Sequence, residues 1–417
     1  MKIAVVLAAG GARGAYQAGA LDVLLPVLEA RGERPSLFVG ASVGALNAVG
    51  LAASAHRSAA EQADDLLWRW ERATKPNVLR PLWQQLPLVA LRYGAETLAI
   101  HVLRLQGLLG TEPLAKSLRR LIDWQQFHRN VADGAVSAVA AMATVVRSGR
   151  VVAFVEAAPG TVRPPPSATI DYVAAQLDVP HVRASAAIPM LFPAIRIDEP
   201  RTAAGWYVDG STRLHAPLKP ALDLGAERLV VLGTTGLAPR APAPQDADLD
   251  NVDLGDGAVT LLNAMLEDCL RRDVRQLGEV NSFFADEQQE ASASRRYRAA
   301  LGKPAYRRVP FMVVAPPDPD EISRLAMDVY HANYHNLRGL LDPDFQLMHR
   351  LLGSDSPLQG ELLSFLLFDA DFIAELVRLG RRDARRWLRE HPGDPWQVEP
   401  LQPLLPESGP NRTDGPS

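Results

Sequence analysis

The sequence predicts an α/β layered domain, with a central mostly parallel sheet flanked by helices and a helical C-terminal extension. Three observations predict it. Short apolar runs alternate with helical periods over residues 3–235. Residues 321–390 then carry helical spacing alone. The 417-residue chain is 47% hydrophobic, ordinary for a globular protein and ample for a large core.

The elements follow in order. Residues 3–7 read as a buried strand, and residues 14–30 as a helix closed by Gly32. Pro26 lies inside that helix and removes a backbone hydrogen bond. Residues 36–39 form a second strand, a turn spans 40–44, and a helix runs from Val43 to about Ala55. Residues 58–130 are a helical insertion carrying Trp68, Trp70, Trp83 and Trp124. Residues 136–146 and 151–156 read as a hairpin around Ser148-Gly149, with short strands at 206–208 and 229–232. Residues 238–256 are a Pro/Asp-rich loop, 259–284 a helix, and 311–315 another strand. The helical residues beyond include an apolar hairpin-like segment at 362–367, and residues 392–417 have a disordered composition. The domain reading is therefore 1–320, a helical extension at 321–391, and a tail at 392–417.

Composition excludes several classes of function. A net charge of -4 and a pI near 6.2 exert no pull toward nucleic acid. The single cysteine, Cys269, excludes an intrachain disulfide framework and a Cys-based zinc site, and suits a reducing compartment. Lys2 and the apolar residues 3–9 have the outline of a signal peptide. That run is minimal and leads into a Gly/Arg turn and a helix, so a buried strand is the better reading. No apolar run reaches the ~18 residues of a membrane span. The expected location is the cytoplasm, with contact at a membrane surface at most peripheral.

Three segments carry chemistry. Gly40-Ala41-Ser42-Val43-Gly44 is a G-x-S-x-G between an apolar strand and a helix. A sharp strand-to-helix turn raises the serine hydroxyl above the sheet, crowds its neighbours into glycine, and sets the helix N-terminus behind developing negative charge. Gly10-Gly11-Ala12-Arg13-Gly14 follows the first strand, and its small residues leave backbone N–H groups open to a substrate oxygen. Asp209, at the end of a short strand and before Gly210-Ser211, can be aimed into a site at the strand ends. Read singly, each has a plainer meaning as a tight turn.

Together, and in this order, the three resemble the patatin-like phospholipase family. Its pattern is a glycine-rich oxyanion loop with a basic residue, then G-x-S-x-G, then Asp-Gly-Gly or Asp-Gly-Ala. Ala184-Ser185-Ala186-Ala187-Ile188-Pro189-Met190-Leu191-Phe192-Pro193 is similar to the segment preceding the family's aspartate. The resemblance covers roughly residues 3 to 320, and residues 363–387 are similar to the C-terminal extension of bacterial members. Two positions depart from the pattern. Ala9 stands where the family has its first loop glycine, at a cost of ~1 kcal/mol if the backbone there is left-handed. Ser211 replaces the last glycine or alanine of the aspartate motif.

The resemblance implies a patatin-like layered fold and a lipid acyl hydrolase working through a Ser-Asp dyad. Ser42 would be the nucleophile and Asp209 the base; Gly10, Gly11, Arg13 and Gly14 would form the oxyanion hole, and Gly40 and Gly44 the elbow. It implies a lipid or other acyl ester as substrate; nothing in the motif set supplies metal ligands, so hydrolysis should survive EDTA, and no cofactor, metal or nucleic acid is expected. A Ser-His-Asp triad would need His215 or His181, the histidines nearest the motifs.

Other classes remain open at this point. A catalytically silent protein could use the fold to bind lipid or a partner. Leu7-Ala8-Ala9-Gly10-Gly11-Ala12-Arg13 also resembles a nucleotidyltransferase loop, with Ala12 where that loop needs glycine and G-x-S-x-G left unexplained. A dinucleotide fingerprint is broken at Ala9. Residues 66–110, rich in Leu and Trp and broken by Pro76, Pro81 and Pro87, read either as a lipid-touching rim or as a helical subdomain packed on the sheet.

Overall fold

The computed structural model describes residues 1–80, 109–161, 164, 167, 169–189, 191–212, 217–238, 269–283, 296–300, 307–334 and 357–401. Nine strands among them form one sheet: β1 (Ile3–Leu7), β2 (Pro35–Ala41), β3 (Ala138–Val145), β4 (Val151–Ala157), β5 (Ile170–Ala174), β6 (Ile195–Ile197), β7 (Gly205–Asp209), β8 (Arg228–Leu232) and β9 (Phe311–Val314). The order is β5-β4-β3-β2-β1-β8-β9. Five strand pairs are parallel; β3 pairs antiparallel with β4 and β7, and β6 with β7. The mostly parallel sheet explains the continuous apolar runs, since helices cover both faces and every residue of β1 is buried.

The helices are α1 (Gly14–Ala30), α2 (Val43–Ala53), α3 (Ala59–Glu71), α4 (Lys75–Val78), α5 (Glu112–Leu121), α6 (Trp124–Ala132), α7 (Val179–Ser185), α8 (Leu218–Asp223), α9 (Cys269–Phe283), α10 (Glu321–Tyr334), α11 (Pro357–Leu366) and α12 (Ala370–Glu390). None among the described residues is long and apolar enough to cross a membrane. The insertion expected over 58–130 contributes α3 to α6; its residues 81–108, with Trp83, lie outside the described residues. So do most of the loop expected at 238–256 and the first part of the helix expected at 259–284.

The C-terminal helices are fastened to the first βα unit. A Cβ at Gly19 of α1 would sit 2.1 Å from the Val377 carbonyl oxygen, and one at Gly380 of α12 would sit 2.0 Å from that of Tyr16. The two backbones therefore cross in contact. At the crossing the Tyr16 hydroxyl donates to Asp383 Oδ2 at 2.8 Å, and both side chains are buried.

The sequence reading is corrected in three places. The segment at 362–367, expected to resemble a hairpin, belongs to helix α11 and its end; Leu362, Leu363, Phe365, Leu366 and Leu367 are all buried. A helical run in which every residue is buried, as 360–366 is here, carries no amphipathic period. Strands β5 and β6 were not anticipated: β6 has three residues, and β5 is an edge strand held by the Arg150–Asp171 ion pair. The tail expected from residue 392 is packed through residue 401. Trp396 is buried, its indole N–H donates to Glu33 Oε2 at 2.9 Å, and Gln397 exchanges backbone hydrogen bonds with Phe311.

The sheet register positions the site. One edge of β3 is taken by β4, which pairs with residues 138–144. The other edge is shared end to end: β2 pairs with residues 138–142, and antiparallel β7 pairs with residues 143–145. The C-terminal ends of β2 and β7 thus meet. Ala41 lies opposite Met142 and Asp209 opposite Ala143, so the residue after Ala41 is delivered to Asp209.

Candidate active site

Ser42 occupies the turn between β2 and α2 with φ 53° and ψ -125°, the only positive φ at a non-glycine among the described residues. This region costs an L-residue of order 1–3 kcal/mol and persists only where its surroundings enforce it. The enforcement is local. A Cβ at Gly40 would lie 2.2 Å from the carbonyl of Gly44, and one at Gly44 would lie 2.2 Å from the Leu7 carbonyl oxygen. The turn closes only because both are glycine. The Ser42 amide donates to the buried Ser185 hydroxyl at 3.0 Å, and α2 directs its N-terminus at the same point.

Asp209 is 1% exposed. Its Oδ1 accepts the Ser211 amide at 2.8 Å, and its own amide donates to the Ala187 carbonyl. Its Oδ2 has no hydrogen bond of standard geometry among the described residues. Burial pushes the carboxyl up to about 6, against the opposing pull of the Ser42 hydroxyl and of Ser211. The Ser42 hydroxyl therefore lies near the carboxylate.

The glycine-rich loop forms a 3-10 turn at Gly11–Arg13. Its Arg13 and Gly14 amides are spent inside the loop, on Gly10 and on Gly11 and Ala12. Those of Gly10 and Gly11 make no hydrogen bond among the described residues. Gly11 has φ +56°, and a Cβ there would strike the Phe365 carbonyl oxygen at 2.3 Å. Ala9 is not at positive φ, so its departure from glycine carries no backbone cost. Arg13 is buried at 1% exposure, with its guanidinium on Glu361 and Ser364 of α11.

An apolar cavity of about 120 Å³ lies over Ser42 and Gly11, walled by Leu66, Trp70, Leu114, Leu118, Ile122 and Phe365 among others. Away from Ser42 and Gly11, several polar side chains of its wall are turned to protein. Asn47 donates to Gly14 and Gln17 and accepts the Trp70 indole N–H, Arg69 donates to Asp65, Gly50 and Leu121, and Ser117 donates to Asn77.

The family description "Patatin-like phospholipase" matches residues 5–222, just over half of the chain. The chain belongs to the patatin-like phospholipase family. That membership brings lipid acyl hydrolysis as its general reaction class. A search of curated proteins finds no match. Among solved structures, the chain is similar to that titled "Crystal structure of VipD from Legionella pneumophila", at 12% identity over 94% of this chain and 67% of that one, with a TM-score of 0.34.

His215 lies outside the described residues. His181 caps α7: its Nδ1 accepts the Asp178 amide and its Nε2 faces the Glu199 carbonyl, so both ring nitrogens are occupied. Burial also lowers its basicity. Sequence reasoning gave no separate role to Ser185, although it lies in the quoted Ala184–Pro193 segment, nor to Phe365 within 362–367, and it did not single out Glu361.

Proposed function

We propose that this patatin-like protein hydrolyses carboxylic esters of acyl lipids through Ser42 and Asp209. The observation that carries the reading is the head-on meeting of β2 and β7, which sets a backbone-strained serine against a buried carboxylate beneath an apolar cavity. Asp209 takes the Ser42 proton as Oγ attacks the ester carbonyl carbon. The Gly10 and Gly11 amides and the α2 N-terminus receive the oxyanion. Asp209 returns the proton to the departing alcohol, leaving an acyl-enzyme. Water then attacks the acyl carbonyl, Asp209 accepts its proton and restores it to Ser42, and the fatty acid leaves.

The cavity supports an acyl chain as its occupant. Its wall is largely apolar, and away from Ser42 and Gly11 the polar side chains Asn47, Trp70 and Ser117 are paired, so it offers contact area with few open hydrogen-bonding groups. The head group is then left outside, where a peripheral approach to a lipid surface would place it.

The test is labelling by a fluorophosphonate serine probe together with hydrolysis of a soluble p-nitrophenyl ester. Wild type should do both, while Ser42→Ala and Asp209→Asn should each lose turnover with the fold intact. Near-wild-type turnover in either variant would overturn the dyad.

A further inference from the structure

We infer that Glu361 is a positioning residue for the reaction, holding the oxyanion loop from behind through Arg13; this rests on the Ser42–Asp209 reading. The geometry is a buried knot of four chain segments. Arg13 Nη2 lies 2.8 Å from Glu361 Oε1, and Arg13 Nε donates to Ser364 Oγ at 2.7 Å. Nη2 also donates to the Glu361 carbonyl at 3.2 Å, with a longer contact to the Ser323 hydroxyl, and Nη1 makes a longer contact to the Thr234 carbonyl. Ser323 in turn donates to Glu361 Oε2 at 2.5 Å. The guanidinium stacks over Phe365 at 4.3 Å.

The knot is buried and specific. Arg13, Glu361, Ser364, Ser323 and Thr234 are all buried, so neither charge has water to fall back on. Directly beyond it, Gly11 rests on the Phe365 carbonyl and lines the cavity beside Ser42. Helix α11 thus grips the loop at two points, the Arg13 side chain and the Gly11 backbone. Glu361 lies outside residues 5–222, the part that matches the family.

Two roles for Arg13 predict opposite signs. If its charge stabilised the oxyanion directly, neutralising Glu361 would strengthen the positive field at the site and preserve or raise kcat. If the pair holds the loop in place, the same change slackens the loop and lowers kcat. Burial against Glu361 favours the second, since a carboxylate at 2.8 Å cancels most of the outward field.

The experiment compares four proteins on a soluble p-nitrophenyl ester, with amide hydrogen exchange followed over residues 8–14. Glu361→Gln should lower kcat about 10-fold or more with KM held within about 2-fold, and exchange in the loop should quicken. Arg13→Met/Glu361→Met removes the pair without stranding a charge, so it should melt no lower than Glu361→Gln while turnover stays low. Glu375→Gln, which breaks an exposed ion pair with Arg378, should match wild type. Wild-type or raised kcat in Glu361→Gln, or turnover restored in the double variant, overturns the inference. A wild type that neither labels nor hydrolyses would sink the dyad reading instead. Exchange over residues 8–14 would still decide the rest, with unchanged protection in Glu361→Gln refuting the grip on the loop.

Discussion

The hydroxyl of Ser185, at the end of α7, accepts the backbone amide of Ser42 at 3.0 Å, with both residues buried. The contact spans 143 positions and ties the strained elbow to the segment that leads to Asp209, whose amide is held by the Ala187 carbonyl two residues on. One short stretch therefore fixes both members of the proposed dyad.

Ser185→Ala leaves the Ser42 N–H buried without its acceptor, which costs roughly 1–3 kcal/mol. The melting temperature should fall, and kcat should fall with it as the elbow loses a constraint on its backbone. A variant with unchanged kcat at a temperature where it is fully folded would show that the elbow holds its shape without this contact.

Backbone strain at position 42 separates two inactive variants. Ser42→Ala keeps a Cβ at φ 53°, whereas Ser42→Gly removes it. Both should lose hydrolysis and probe labelling. Ser42→Gly should melt higher than Ser42→Ala if relief of the 1–3 kcal/mol strain exceeds the ~1 kcal/mol entropic cost of glycine. Thermal unfolding of the pair at one pH decides it, and equal or reversed melting temperatures would mean that the turn stores little strain.

Asp209 links activity to pH and opposes stability. The proposed base must be ionised, so kcat/KM on a soluble ester should rise through about pH 6. The folded value lies above the ordinary aspartate value near 3.9, so the stability associated with Asp209 is full below that value and is lost as pH rises through 6. Asp209→Asn removes the buried charge. It should stabilise the protein by up to roughly 3 kcal/mol at pH 8 and by little at pH 4. Denaturant melts at the two pH values test this, and a destabilised Asp209→Asn at pH 8 would mean that the carboxylate is better solvated than its burial indicates.

What was legible in the sequence is what short-range geometry dictates. Gly40, Ser42 and Gly44 lie within one turn, and the contacts that demand glycine there are contacts with each other and with the preceding strand. The strands of the sheet interior announced themselves as apolar runs. Arg13 was legible as a loop residue but not in its direction, because Ser364 lies 351 positions away and residues 360–367 around it are all buried. Ser185 was hidden for a related reason: a small polar residue in an apolar segment has no period that reveals its partner. The corrected tail shows the same limit, since Trp396 is anchored by Glu33, 363 positions away, against a composition that favours disorder.

The two tryptophans of α3 divide the rim and packing readings between them. Trp70 is 6% exposed, lines the cavity, and donates its indole N–H to Asn47 Oδ1 at 3.0 Å. Trp68 is 41% exposed, with the Arg72 guanidinium 4.1 Å from its ring centre. An exposed indole with a cation on its face suits a lipid–water boundary and contributes little to a core. Trp70→Ala should therefore lower the melting temperature and reduce hydrolysis of every ester, since truncating a buried Trp costs about 3–5 kcal/mol. Trp68→Ala should leave stability and soluble-ester turnover near wild type and reduce hydrolysis of phospholipid vesicles about 10-fold. That size follows from losing an interfacial contact of about 1.4 kcal/mol, within what burying an aromatic side chain is worth. Parallel assays on a p-nitrophenyl ester and on vesicles, with melting curves, check both. Equal loss on the two substrates in Trp68→Ala, with a lowered melting temperature, would place Trp68 in the packing as well and remove the rim from α3.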